Sequence, residues 1–314
     1  MSKPKLSTYG ILFTVLVVAA LLGPQMSKPA QGQQWKIVFE GTQDGNSGIY
    51  VVNPDGSDLQ RLTTGADKAW EPTWSPDRSK ILVAARLHGG GQADEEVYVM
   101  DADGANMRRL THTPGEGTSS RSADWSPDGQ RIVFMSNRGG SDLGWDGYDL
   151  YVMNADGSNL RRLTRAHGWN ATPAWSPDGE HIAFTSDQDG KDNPGIWLIA
   201  PDGTGPRRLS DQGARPSWSP DGKKIAFMAN GICVMDADGT NIQRLTHRPG
   251  DVGHPDWSLD GSKIVFTVYD VDQPAPGEDE GWHWDEHGIY VMDADGTNVQ
   301  RLTALRGNQG HPNW

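Results

Sequence analysis

Cysteine is almost absent from this chain: one residue, Cys233, stands in 314. A disulfide framework within the chain is therefore excluded, and the fold must rest on packing and hydrogen bonds. Basic residues are also in the minority, with 28 Lys and Arg against 41 Asp and Glu and a formal charge of −13. That balance argues against nucleic acid and against an anionic membrane surface as partners. Neither a Gly-rich phosphate loop nor a Gly-x-Ser-x-Gly elbow occurs, so the sequence carries no signature for phosphate cradling or for serine hydrolysis on an α/β-hydrolase scaffold. The glycines are spent on turns and variable loops.

The one long apolar run, Tyr9 to Gly23, follows Lys3 and Lys5 and precedes a polar, Pro- and Gln-containing stretch to Gln34. This is the layout of a secretory signal, and the run is short for a spanning helix. Ala30-Gln31-Gly32 offers small residues for cleavage; an uncleaved anchor is the alternative. No cysteine lies near the run, which argues against lipoprotein attachment. Residues 1–34 are thus expected to be a signal peptide or N-terminal membrane anchor with its linker, and 35–314 the folded domain. A periplasmic or secreted monomer follows, touching a membrane only through that leader.

What fills residues 35–314 is a repeat. Trp74, Trp125, Trp175, Trp218, Trp257 and Trp314 each close a short segment, and the first five are followed by Ser and an Asp-containing turn. An apolar triplet such as Ile132 to Phe134 comes next, then a string like Tyr151-Val152-Met153-Asn154-Ala155-Asp156-Gly157, then Arg-Leu-Thr. Six copies in 280 residues give about 47 residues each, the period of four-stranded propeller blades. Each segment is short, β-branched or aromatic, and bounded by turn residues, so strands are expected.

Ser126-Pro127-Asp128-Gly129 and Asn53-Pro54-Asp55-Gly56 have the residue preferences of type I turns. The Asp-x-Asp-Gly strings resemble fragments of calcium loops but lack the other ligands and the terminal Glu, so turns are expected there too. The chain stops at His311-Pro312-Asn313-Trp314, a first strand without successors, and the repeats start at Trp35 to Phe39, a second strand without its first. The termini should complete one blade and remove the open edges. The fold class is all-β: a six-bladed β-propeller of four-stranded blades, closed by pairing of the N- and C-terminal strands.

The Trp-Ser-Pro-Asp-Gly and Tyr-Val-Met-Asp-Ala-Asp-Gly strings resemble the WD-related repeats of TolB-like six-bladed propellers, whose namesake is the periplasmic component of the Tol-Pal envelope system. The resemblance covers residues 35–314 and implies a non-catalytic propeller that binds a protein or envelope component. It departs from that family in leaving no room for the α/β domain that precedes the TolB propeller. Similar blades occur in prolyl oligopeptidases, tricorn-type proteases and oligogalacturonate lyases, so the fold alone does not assign function.

In a four-stranded blade, the first-to-second and third-to-fourth hairpins share one face. Here they are the near-constant turns. The opposite face carries the insertions 85–96, 136–149, 186–195 and 269–288, where specificity is usually placed on a rigid scaffold. Eight of the nine His and the aromatics Trp70, Trp145, Trp169, Trp282 and Trp284 fall there, beside acidic clusters, which suits a binding surface for protein or sugar. Polar residues also gather in loops without any role. The residues at the inner-strand position that precedes proline in five of the six repeats, Glu71, Ser122 (before Ala123), Thr172, Arg215, His254 and His311, should ring the channel mouth. Closure makes His254, His311 and Glu71 neighbours, a set that could hold a divalent transition metal with open positions, or simply hydrogen-bond with Asp256 and Asn313. Two readings follow. The first is a binding propeller without cofactor or catalytic residues; the alternative is a metal-dependent lyase or hydrolase acting on carbohydrate in the channel. Cys233, in a strand where other repeats have Tyr, reads as a small buried residue rather than a nucleophile.

Overall fold

The computed structural model describes residues 35–314 apart from 44–45, 64–67, 87–94, 113–117, 140–146, 166–167, 191–192, 247–250, 270–286 and 304–307. Its strands, in chain order, begin with β1 (Ile37–Gln43), β2 (Asn46–Val52) and β3 (Gln60–Arg61). Blade 1 comprises β4 (Lys68–Trp74), β5 (Lys80–Arg86), β6 (Glu96–Asp101) and β7 (Arg108–Arg109). Blade 2 has β8 (Ser120–Trp125), β9 (Arg131–Ser136), β10 (Asp149–Asn154) and β11 (Arg161–Arg162). Blade 3 has β12 (Asn170–Trp175), β13 (Ile182–Ser186), β14 (Gly195–Ile199) and β15 (Arg207–Arg208). Blade 4 has β16 (Ala214–Trp218), β17 (Lys224–Met228), β18 (Ile232–Asp236) and β19 (Gln243–Arg244). Blade 5 has β20 (Asp251–Trp257), β21 (Lys263–Tyr269), β22 (His287–Asp293) and β23 (Gln300–Arg301). The last strand, β24 (Gln309–Asn313), pairs antiparallel with β1 to complete blade 6.

The six sheets form the expected ring, and its seam is closed by Val38 opposite Asn313, Glu40 opposite Gly310 and Gly41 opposite Gln309. Each blade is sandwiched between two others, so its second strand is covered on both faces. This explains why Ile81 to Ala85 is an unbroken buried run rather than an alternating one. The outermost strands are two residues long and basic, which leaves little exposed edge to template association.

The repeated polar residues have repeated duties. The hydroxyl of each Arg-Leu-Thr/Ser accepts the N–H of a third-strand residue fourteen positions earlier, as in Val97 to Thr111 at 2.9 Å and Leu150 to Thr164 at 2.9 Å. The arginine Nε atoms of Arg109, Arg162, Arg208 and Arg244 each donate to the carbonyl two residues on. In the turn after Trp125, Gly129 N donates to Ser126 O at 2.8 Å, and the Asp128 carboxylate accepts from Ser126 Oγ and Gln130 N. The Asp-x-Asp-Gly carboxylates act alike, Asp103 accepting from Ala105 N at 2.9 Å. The two hairpins of a blade also touch: Ala155 N donates to Gln130 O at 2.9 Å, which puts both on one face.

Glycine in the outer hairpin is required twice over. Gly104 has φ +86°, and a Cβ there would lie 2.5 Å from the Leu62 carbonyl oxygen of the preceding blade. The Gly of Asp-x-Asp-Gly in one blade thus packs on the Leu of Arg-Leu-Thr in the blade before it. Gly104→Ala should cost about 2 kcal/mol or more in chemical denaturation, from the left-handed backbone plus the clash. Gly190→Ala is the control, since Gly190 has φ +71° but no atom within 4 Å of its Cβ position. Equal losses in the two variants would show that the interblade contact contributes nothing.

Candidate binding site at the channel mouth

The six inner-strand residues at this position, five of them followed by proline and Ser122 by Ala123, all have left-handed backbones: Glu71 φ 51°, Ser122 49°, Thr172 45°, Arg215 58°, His254 53° and His311 46°. A residue before proline normally prefers the extended region, and positive φ in a non-glycine costs on the order of 1–3 kcal/mol. The register of every inner strand slips at this point, so each site is a β-bulge. These six side chains line a central cavity of about 260 Å³. Neighbouring blades meet three of the N–H groups freed by the bulges. Glu40 Oε2 accepts from Glu71 N at 2.9 Å, Glu71 Oε2 from Ser122 N at 2.7 Å, and Thr185 Oγ1 from Arg215 N at 3.0 Å.

A second belt runs below it. Asn313 Oδ1 accepts from Trp74 N at 2.8 Å, Asp124 Oδ2 from Trp175 N at 2.7 Å, and Asp256 Oδ2 from Trp314 N at 2.8 Å. Asp256 also accepts from Ser217 Oγ at 2.7 Å and from Asn313 Nδ2 at 3.1 Å. Burial dominates both carboxylates, pushing Asp124 up to about 7 and Asp256 up to about 6 despite these donors. Each also lines the cavity, and the two stand on opposite blades, 2 and 5.

At the mouth the geometry gathers the three neighbours named from the sequence and adds two residues. The rings of His254 and His311 lie 3.7 Å apart at 54°. His311 Nδ1 is 2.9 Å from Glu40 Oε1, while its Nε2 is 3.0 Å from Arg215 Nη1 and 3.6 Å from Glu71 Oε1. Arginine can only donate, so Nε2 faces a donor while Nδ1 faces the Glu40 carboxylate. His311 is thus flanked by charged groups on both ring nitrogens, Glu40 beside Nδ1 and Arg215 with Glu71 beside Nε2. Among the described residues, no three His, Cys, Asp or Glu side chains are arranged to hold a metal ion. Arg215, on blade 4, reaches past His254 of blade 5 to blade 6 and so spans the mouth.

Burial alone would raise Glu40, but the charge and hydrogen bond of His311, the Glu71 N–H and Arg215 together hold it below the usual carboxylate range. His254 is buried and held well below the ordinary imidazole value, first by burial and then by His311 and Arg215. Its Nδ1 lies 3.0 Å from Tyr269 Oη, and its Nε2, in the cavity wall, has no hydrogen-bond partner among the described residues.

Of the aromatics assigned to the binding face, Trp70 is half-buried under the Arg86 guanidinium, 5.7 Å from its ring centre. Trp169 is half-buried and packs against the core between blades 2 and 3. Trp145, Trp282 and Trp284 lie outside the described residues. His254, His287 and His311 occupy strands rather than loops. Sequence reasoning missed Glu40. Its signal was available: the residue after the second-strand triplet is Ala84, Met135, Thr185, Met228 or Thr267 elsewhere, and acidic only here.

A ring of six four-stranded blades with a polar, largely self-paired channel mouth defines a six-bladed β-propeller. A family model for the TolB beta propeller domain matches residues 144–232. The Tol-Pal system protein TolB of Anaeromyxobacter dehalogenans is 38% identical over 125 residues, 40% of this chain and 26% of that protein. An uncharacterized protein of Agrobacterium fabrum is 30% identical over 103 residues, 32% of this chain and 35% of its own length. The chain therefore spans about a third or less of these relatives. Among solved structures, TolB from Acinetobacter baumannii superposes with a TM-score of 0.71 at 20% identity, covering 89% of this chain and 66% of that one. Residues 144–232 thus match the TolB beta propeller domain, and the ring as a whole shares the TolB propeller fold.

Proposed function

We propose that this protein is a non-catalytic, extracytoplasmic propeller of the Tol-Pal type, binding a protein of the cell envelope through its loop-rich face. The carrying observation is the mouth cluster. Arg215, His311, Glu40 and Glu71 are held on three blades and locked by one another, so the surface at the centre of that face is preorganised and charged. The named TolB relatives supply the Tol-Pal assignment, and the leader of residues 1–34 supplies export to the periplasm, by cleavage or as an anchor.

Arg215 should act as an anchor for the partner, since it keeps free donors beside the cavity and anchor arginines typically account for 2 kcal/mol or more of binding. A photo-crosslinking residue at Trp169 or Trp70 should yield a defined adduct with one envelope protein in intact cells, and one at Asp103 on the turn face should not. Adding Arg215→Ala should reduce that adduct at least tenfold with little change in melting temperature. Adducts from Asp103 alone, or adducts indifferent to Arg215, would overturn the assignment of the face.

A further inference from the structure

A cross-strand row recurs through the blades, and blade 4 breaks it. The registers align Phe39–Tyr50–Arg61, Val83–Tyr98–Arg109, Phe134–Tyr151–Arg162, Phe184–Trp197–Arg208 and Phe266–Tyr290–Arg301. The central ring packs on the phenylalanine, with centroids 5.7, 5.9 and 6.0 Å apart in three blades. An arginine covers its other side, at 5.8 Å over Tyr50 and 6.0 Å over Trp197. In blade 4 the row reads Phe227–Cys233–Arg244. Arg244 makes the same bond as its counterparts, Nε to Thr246 O, so both ends of the row are present and the ring between them is missing.

Two further features leave this place uncovered. The hairpin joining β17 to β18 is only Ala229, Asn230 and Gly231, whereas blades 1, 2, 3 and 5 carry insertions there. Cys233 turns its thiol inward to Ala229 O at 3.4 Å. A cavity of about 430 Å³ lies here, between blades 3 and 4, against Phe227, Cys233, Ala229 and Leu209. Ile242, 53% exposed, forms its lip, and Asp211 and Gln212 add polar groups to its lining. Apolar cavities of about 150 Å³ already admit benzene.

We infer that this cavity is a binding site for a small monocyclic aromatic molecule of the phenol class, which occupies the position that a tyrosine ring fills in four other blades. The ring would stack on Phe227, the pairing seen in the intact rows, and Arg244, the cross-strand partner of Cys233 just outside the cavity lining, would turn over its other side. A free small molecule is the better occupant than a side chain of a protein, because Phe227 and Cys233, which the ring would touch, are themselves buried behind a rim of Asn193, Asp211, Gln212 and Ile242. The site is remote from the channel mouth, and the inference does not depend on what binds there.

The probe is p-cresol, a free tyrosine side chain, followed by saturation-transfer NMR on the whole protein. A dissociation constant on the order of 1 mM is expected for so few atoms. Its saturated counterpart, 4-methylcyclohexanol, should bind at least fivefold more weakly, having no face to offer Phe227 or Arg244. Cys233→Tyr should complete the row and abolish p-cresol binding, while Cys233→Ala should keep it. If Cys233→Tyr does not fold, Phe227→Leu serves instead and should erase the preference for the aromatic probe. Equal binding of the two probes, or p-cresol binding that survives both Cys233→Tyr and Phe227→Leu, would overturn the site. Equally strong binding of N-acetyl-tyrosinamide would overturn the small-molecule assignment in favour of a tyrosine borne on a protein.

Discussion

Deleting residues 309–314 should leave a chain with no cooperative melting transition. The loss is threefold. β1 becomes an open inner edge without the three register pairs that close the ring. Trp314, 8% exposed among Ile37, Phe39 and Val265, vacates a core site, and Trp removal from a core costs about 3–5 kcal/mol. Asp256 and Trp74 N lose their bonds to Trp314 N, Asn313 Nδ2 and Asn313 Oδ1, leaving buried polar groups at about 1–3 kcal/mol each. The sum is comparable with the whole stability of an ordinary domain, about 5–15 kcal/mol. Trp314→Ala isolates one share and should still fold, with a melting temperature several degrees lower. A truncated chain that melts as sharply, and as high, as the full one would show that the ring does not depend on its seam.

Raising the pH from 5 to 8 should weaken the protein through the two buried channel aspartates. Their folded values, about 7 for Asp124 and about 6 for Asp256, lie above the ordinary 3.8. Their contribution is therefore fully present below about pH 4 and is lost as pH rises through 6 and then 7. At about 1.4 kcal/mol per unit, Asp124 alone accounts for up to about 4 kcal/mol. His254 opposes this, because its depressed value gives stability that is present above the ordinary 6.5 and lost as pH falls below it. Asp124→Asn separates the two effects: it keeps an acceptor for Trp175 N but cannot ionise. Relative to wild type, the variant should gain several degrees of melting temperature on going from pH 5 to pH 8 by calorimetry. Parallel profiles would mean that the Asp124 carboxyl is already ionised at pH 5.

How much of this was legible in the residues divides along physical lines. Turns depend on the chemistry of four consecutive residues, so Ser126-Pro127-Asp128-Gly129 could be read directly. Six periods of Trp and Arg-Leu-Thr counted the blades, and the unmatched first and second strands at the two ends announced the closure, because a repeat shows what is missing from it. The ring order of Glu71, His254 and His311 followed from the same count. What those groups do at the mouth did not follow. Glu40 and His311 are partners across the seam, Arg215 crosses a whole blade to reach His311, and left-handed bulges in the inner strands set where all six side chains line the channel. Local propensity would have kept those residues extended. Only the closed ring, in which neighbouring blades satisfy the displaced N–H groups and burial sets the charge of Asp124 and His254, holds the strained backbone in place and so decides the chemistry of the mouth.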